Sequence, residues 1–346
     1  MVNSSNHVHE TAKRWPCDKI GANGGYEMLS DLLAVGVNRA RGHEACTGCS
    51  LCLLACPVWR STHDIRYTPH GRAKAMQHGA GPADLAASIA SCTFCGACEP
   101  ACPEDLALIA MMTGLRAGLL PDQPPATQYA APLAGATAGA GAYLLPDALL
   151  AGDAGLMAHA RKLLGDIALV ADHGPDIALA LESGAAILNA RREAFLAPLR
   201  GARLVVADGL LLRALRAWLP GARIEGLGEA ASRSAGVRAA LGANDFYVIE
   251  PRAYHAERER LIGHYDALRA ATGCGMNLDM QRLAIPTTAN SQPQRDGCNR
   301  VNLAEQARWI LEGHVFERIV VEDLNDMAVF RSVTDKPVVH VAQLAG

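Results

Sequence analysis

The sequence predicts an α + α/β protein: a helical, cysteine-rich N-terminal domain followed by an α/β domain of two degenerate repeats. Three observations carry that prediction. Eight of the eleven cysteines fall in two runs between Cys46 and Cys102. Beyond residue 141, short apolar runs alternate with helical patterns, as strands and helices do in an α/β sheet. Two stretches of that second half also repeat each other's order of strands and turns.

At 346 residues the chain is roughly twice the usual domain length. Half of it is apolar and 19% is charged, enough to bury substantial cores. A net charge of −3 offers no basic surplus for a nucleic-acid partner. The first 20 residues contain no apolar stretch of signal-peptide length. No run reaches the roughly 20 apolar residues of a spanning helix. The expected location is cytoplasmic, or peripheral on the inner face of the cell membrane through a partner.

The first cysteine run is Cys46, Cys49, Cys52, Cys56 and then Pro57; the second is Cys92, Cys95, Cys98, Cys102 and then Pro103. Both follow C-x2-C-x2-C-x3-C-P, the two-cluster ferredoxin pattern. Three thiolates two residues apart let one loop wrap a cubane, while the fourth points away and reaches the other cluster. Two [4Fe-4S] clusters are therefore expected, one on Cys46, Cys49, Cys52 and Cys102, the other on Cys92, Cys95, Cys98 and Cys56. Gly48 and Gly96 fall between ligands, where a side chain would crowd the cluster, and Pro57 and Pro103 fix the backbone after the fourth thiol. Structural zinc also takes four thiolates, but usually through two separated C-x2-C knuckles. A disulfide framework belongs to oxidising compartments.

Helical pieces are predicted at Arg72–His78, Pro82–Ala90 and Leu106–Leu120, so the cysteine-rich domain is read as helical over 41–120, after an N-terminal extension, 1–40. Pro82 suits a first helical turn, and Leu85 and Ile89 lie one turn apart. Residues 121–141, rich in Pro, Ala and Gly, read as a linker. Within 142–346, strands are predicted at Ala142–Leu145, Ile167–Ala171, Arg203–Ala207, Phe246–Ile249, Arg318–Val321 and Val338–Val341. Helices are predicted at Leu156–Leu164, Leu210–Leu219 and His255–Ala271. The repeat copies run from about 142 to 227 and from about 246 to 344. Each opens with a strand ending in proline (Pro146, Pro251), and each later carries a strand running straight into a helix (Leu204–Leu215, Ile319–Phe330).

Residues 43–115, with both cysteine runs and His70-Gly-Arg-Ala-Lys-Ala-Met76 between them, resemble the iron–sulfur subunits of glycolate oxidase and anaerobic glycerol-3-phosphate dehydrogenase. The small subunits of heterodisulfide reductase and succinate dehydrogenase share that architecture. The resemblance implies single-electron transfer between a flavin or disulfide site and a quinone or other carrier. In outline the C-terminal copies, with their close Lys336–Leu344, resemble the tandem cysteine-rich CCG domains of the same families. The departures are specific. Asp172-His173-Gly174 stands where Cys-Cys-Gly is expected. Asp208-Gly209-Leu210-Leu211 and Glu322-Asp323-Leu324-Asn325 stand where Cys-x-x-Cys is expected.

Carboxylates at strand ends are read as turn and cap residues, with acid–base or metal roles as the alternative. Cys274, between two glycines, reads as a small residue at a turn, or as a reactive thiol or lone ligand that could pair with Cys298. Cys17 lies outside both motifs. No G-x-G-x-x-G follows a strand, so no nicotinamide or flavin site is expected on the chain itself. The favoured reading is a non-catalytic electron-transfer subunit with a flavoprotein partner, a quinone-reactive membrane subunit as a further partner, and the α/β domain as docking platform. The alternatives are a disulfide or quinone reductase using Cys274 and Cys298, and a scaffold with structural clusters.

Overall fold

Proline and threonine set the helix starts of the first segment. The computed structural model describes residues 41–119, 132–280 and 282–344; the N-terminal extension with Cys17, residue 120 and linker residues 121–131 lie outside it. The first segment contains α1 (Leu51–Leu54), α2 (Pro57–Thr62), α3 (Pro69–Gln77), α4 (Ala86–Ala90) and α5 (Leu108–Leu119). Pro57 and Pro69 open their helices, where a missing N–H costs nothing. Thr68 caps α3 by accepting from the Gly71 amide at 3.1 Å, which starts that helix before the predicted Arg72. Pro82–Leu85 makes turns instead of helix, so α4 begins at Ala86.

The second segment holds two four-stranded parallel sheets. The first comprises β1 (Ala142–Leu145), β2 (Ala168–Leu169), β3 (Arg203–Val206) and β4 (Ile224–Gly226), in the order β2-β1-β3-β4. Its helices are α6 (Ala148–Gly152), α7 (Ala154–Leu163), α8 (Pro175–Ser183), α9 (Asn189–Leu196) and α10 (Gly209–Trp218). After β4 come α11 (Leu227–Ser232) and α12 (Ala235–Ala240).

The second sheet starts from β5 (Asp245–Val248), followed by α13 (Pro251–Ala256), α14 (Arg258–Thr272) and β6 (Gly275–Met276). A small antiparallel pair, β7 (Leu278–Asp279) and β8 (Leu283–Ala284), precedes α15 (Gln292–Arg295) and α16 (Leu303–Leu311). The half closes with β9 (Arg318–Val321), α17 (Leu324–Arg331) and β10 (Val338–His340), in the order β10-β9-β5-β6. Counted within each half, both sheets run second, first, third, fourth. The repeat seen in turns and strand ends is thus a repeat of topology. The single predicted helix His255–Ala271 is two helices, broken at Glu257, whose φ of −131° and ψ of 30° leave the helical region.

The halves pack reciprocally. The helix after the third strand of each meets the helix after the first strand of the other: α10 against α13, α17 against α6. The carboxyl ends of β3, β4, β5 and β9 converge, and Val206, Gly226, Glu250 and Glu322 border one small cavity there. Beneath, a continuous apolar core joins Ile89, Phe94, Ile109 and Leu115 of the helical segment to Tyr143, Leu145, Leu204 and Val206 of the first sheet. Ala55 and Ala97, one from each cysteine run, join Phe246, Val248, Ile319 and Val321 of the second. Each fully buried Leu or Phe in these cores contributes about 1.5–3 kcal/mol, so the cysteine runs are anchored on the ends of both sheets.

Candidate metal centre

The eight thiols of the two runs border two cavities. One is lined by Cys46, Cys49, Cys52 and Cys102. The other is lined by Cys92, Cys95, Cys98 and Cys56. Each takes three thiols from one run and its fourth from the other. Cys56 is carried away from its own run because it caps α2 ahead of Pro57.

Both loops bend alike. Their third and fifth residues are left-handed: Gly48 (φ 83°) and Ser50 (66°), then Phe94 (55°) and Gly96 (77°). Glycine suits that region because it has no Cβ to clash. An added Cβ would meet Lys74 Cε at 3.0 Å from Gly48 and His255 Cβ at 3.2 Å from Gly96. The nearest protein atoms are thus those of packed side chains.

The donor set fits an iron–sulfur cubane. The backbone at Trp59 and Val58 favours the thiolate of Cys56, that at Ala97 the thiolate of Cys95 and that at His70 the thiolate of Cys52. Burial pushes Cys56 up to about 11, and Cys52 and Cys95 up to about 12. Cys98 rises well above the usual thiol range for the same reason. Such thiols keep their protons until a soft cation draws the thiolates in. Among the described residues no three His, Cys, Asp or Glu close on one point as a single metal ion would need; the thiols border spaces instead.

Residues 42–106, which span both runs, match the family model for the 4Fe-4S dicluster domain. This is an iron–sulfur protein. Its dicluster domain supports iron–sulfur electron transfer. No curated protein and no solved structure matches the chain. No helix among the described residues is long and apolar enough to cross a membrane.

The iron–sulfur protein seats its two thiol sites differently. Around the first, Cys49 is exposed, and Leu51 and Leu54 are 45% and 62% exposed. Around the second, Thr93, Phe94, Ala97 and Glu99 are buried. Long-range partners hold that loop by its carbonyls. Arg116 Nη2 donates to Cys92 O (2.6 Å), Arg252 Nη2 to Thr93 O (3.1 Å), and His255 Nδ1 lies 2.9 Å from Cys95 O. Glu99 accepts from the Ile109 amide at 2.9 Å and pairs with Arg213 at 2.8 Å. The equivalent carbonyl of the first run, Cys46 O, accepts from Lys74 Nζ (2.8 Å) and Gln77 Nε2 (3.0 Å). Sequence reading missed Arg116, Arg213, Arg252 and His255, because no motif marks a side chain that binds a distant carbonyl or carboxylate.

The strand-end carboxylates are mostly caps. Asp208 accepts from the Leu211 amide of α10 at 2.7 Å, and Asp323 from the Asn325 amide of α17 at 2.8 Å. Glu250 accepts from the Arg252 and Ala253 amides of α13. Asp172 pairs with Arg191 at 2.6 Å. His173 lies beside it, buried. Glu322 departs from the cap reading: it accepts from the Tyr247 and Tyr265 hydroxyls (2.8 and 2.7 Å) and the Glu250 amide (2.8 Å). Burial pushes its carboxyl up to about 7. Cys274 is 1% exposed and accepts from the Thr272 hydroxyl at 3.1 Å, in the core beneath β5. Cys298 follows α15, its amide donating to Pro293 O at 2.8 Å.

Proposed function

We propose that this iron–sulfur protein is an electron-transfer subunit of a multi-subunit oxidoreductase, with two [4Fe-4S] clusters. Cys46, Cys49, Cys52 and Cys102 hold the first; Cys92, Cys95, Cys98 and Cys56 hold the second. The observation that carries the reading is the exchange of the fourth thiol between the two cavities, the arrangement that the doubled motif demands. Bound there, such clusters accept and release single electrons.

The chain's own residues set access. The exposed Cys49, with Leu51 and Leu54, leaves the first site open to a redox partner. The α/β layer covers the second through Arg252 and His255. Substrate chemistry belongs to a partner, a flavoprotein, and a quinone-reactive membrane subunit is the natural outlet. The α/β domain both floors the second site and docks these partners.

Iron and acid-labile sulfide in protein prepared without oxygen test the reading, with about eight of each expected per chain. Zinc without labile sulfide overturns it. Cys56→Ser should damage the cluster of the second run, and Cys102→Ser that of the first. Damage confined to the mutated run sinks the crossed ligation. Subunits recovered with the chain from its native host identify the partner.

A further inference from the structure

Among the described residues, two buried guanidinium groups beside the second thiol site form no ion pair with a carboxylate. Arg72, 1% exposed, donates to Ser88 Oγ (3.0 Å) and to the carbonyls of Tyr67 and Ser88 (both 2.8 Å), with Ser91 Oγ at 3.5 Å. Arg116, 5% exposed, donates to the carbonyls of Cys92 (2.6 Å) and Glu182, and to Gln292 Oε1 (3.0 Å). Its guanidinium carbon lies 4.2 Å from the centre of the Phe94 ring.

Glu182 acts on Arg116 electrostatically, but its carboxylate is paired with Arg252 and Arg295. Glu99 is taken by Arg213. A charge buried without a counter-charge costs several kcal/mol, and here two positive charges lie close enough to act on each other. Arg72 lines the cavity of Cys56, Cys92, Cys95 and Cys98 and acts electrostatically on Cys56, while Arg116 acts on Cys92. Beside the first site lies Lys74, half-buried and partly screened by water.

A cubane on four thiolates is net negative and gains one more charge on reduction. We infer that Arg72 and Arg116 are the counter-charges of the second cluster and make it the higher-potential one of the pair. This rests on the two-cluster reading above. An electron delivered at the exposed first site then settles at the second, beneath the α/β layer. At an effective dielectric of about 20, a unit charge ~10 Å from the cluster changes its reduction equilibrium by about tenfold, or ~59 mV for one electron.

The test is a potentiometric titration of the anaerobic, cluster-loaded full chain, followed by electron paramagnetic resonance. Cys49→Ser removes a ligand of the first cluster and so assigns the signals. The second cluster should reduce at the higher potential. Arg72→Gln and Arg116→Gln should each lower its midpoint by the equivalent of about tenfold and leave the first unmoved. Arg72→Lys and Arg116→Lys should stay near the parent value. A Gln chain that loses only the second cluster, where the Lys chain keeps it, also supports the counter-charge role. The inference is overturned if the second midpoint is the lower, if both Gln variants leave it unchanged, or if Gln and Lys chains lose the cluster alike. Absence of iron and sulfide from the parent chain would instead overturn the two-cluster reading.

Discussion

Arg213→Met should loosen the second cysteine run from the first sheet. Arg213 reaches from α10 to Glu99, 114 residues earlier in the chain, at 2.8 Å, with the two side chains 7% and 1% exposed. Met keeps most of the buried stem but leaves the Glu99 carboxylate without its cation. Breaking a buried pair by removing one partner costs about 3–5 kcal/mol. For a chain of this size each kcal/mol moves the melting temperature by about 2 °C or somewhat more. The expected fall is therefore roughly 5–15 °C, read by circular dichroism at one fixed scan rate. Iron release from the second run to a chelator should quicken in parallel. Glu99→Gln combined with Arg213→Met removes both charges and keeps an acceptor for the Ile109 amide. That double variant should recover most of the loss, to within about 1–2 kcal/mol. A single Arg213→Met chain that melts and holds iron like the parent would refute the claim that the α/β domain clamps this loop.

Three further predictions rest on single groups. Glu322 keeps its proton in the folded state up to about pH 7, so its contribution is complete below pH 4.5 and is lost as pH rises through about 7. That is ~3 kcal/mol over the window. His340, pushed down to about 4 by burial, works in the opposite sense, its contribution being lost as pH falls from 6.5 through about 4. The difference between parent and Glu322→Gln stability across pH isolates the first slope, and a slope that survives the substitution rejects the assignment. Asp208→Ser preserves the cap of α10 and should be nearly neutral, while Asp208→Ala should cost about 1 kcal/mol; neither should lower iron content, and a loss of iron in either would make Asp208 a ligand. Gly96→Ala meets both a φ of 77° and His255 Cβ at 3.2 Å, so it should cost about 1–2 kcal/mol and destabilise the second cluster before the first, which cluster-resolved resonance spectra would show.

The grouping of the thiols, three from one run with the fourth of the other, was legible because spacing is a local quantity. Two residues between thiols and three before the last force the fourth outward, whatever the rest of the chain does. Strands β1, β3, β5 and β9 were legible too: Val, Ile and Leu without alternation mark strands buried on both faces. Strand β4 was not, since Ile224-Glu225-Gly226 offers one apolar side chain, and β6 is only Gly275-Met276. The clamps on the second run were hidden for another reason. Arg252 meets Thr93 O across 159 residues and His255 meets Cys95 O across 160. A carbonyl target leaves no mark on the sequence, so the α/β domain read as a platform alone when it also forms one wall of a site.

The same contacts explain how an α/β layer can lack cysteines at its strand ends and still keep its shape. At a strand–helix junction the first amides of the helix need acceptors. Asp208, Glu250 and Asp323 supply them at the ends of β3, β5 and β9, each cap being worth about 1 kcal/mol. Glu322 goes further and gathers two tyrosine hydroxyls and an amide from the β5 end into one buried acceptor. A thiol is a poor acceptor by comparison, so a carboxylate at these positions strengthens the fold that a ligand would only have occupied. What the layer then presents to the dicluster domain is a fixed surface, with α10 and α13 locked together and Arg213, Arg252 and His255 aimed at the second cysteine run. Two thiol sites built on the same local pattern are thereby placed in unlike surroundings, one open to water and one roofed by buried guanidinium groups. Burial, charge and hydrogen bonding are the quantities that set cluster potentials: the layer that contributes no thiol supplies Arg252 and His255 to the second run, while Arg72 and Arg116 come from α3 and α5 of the helical segment.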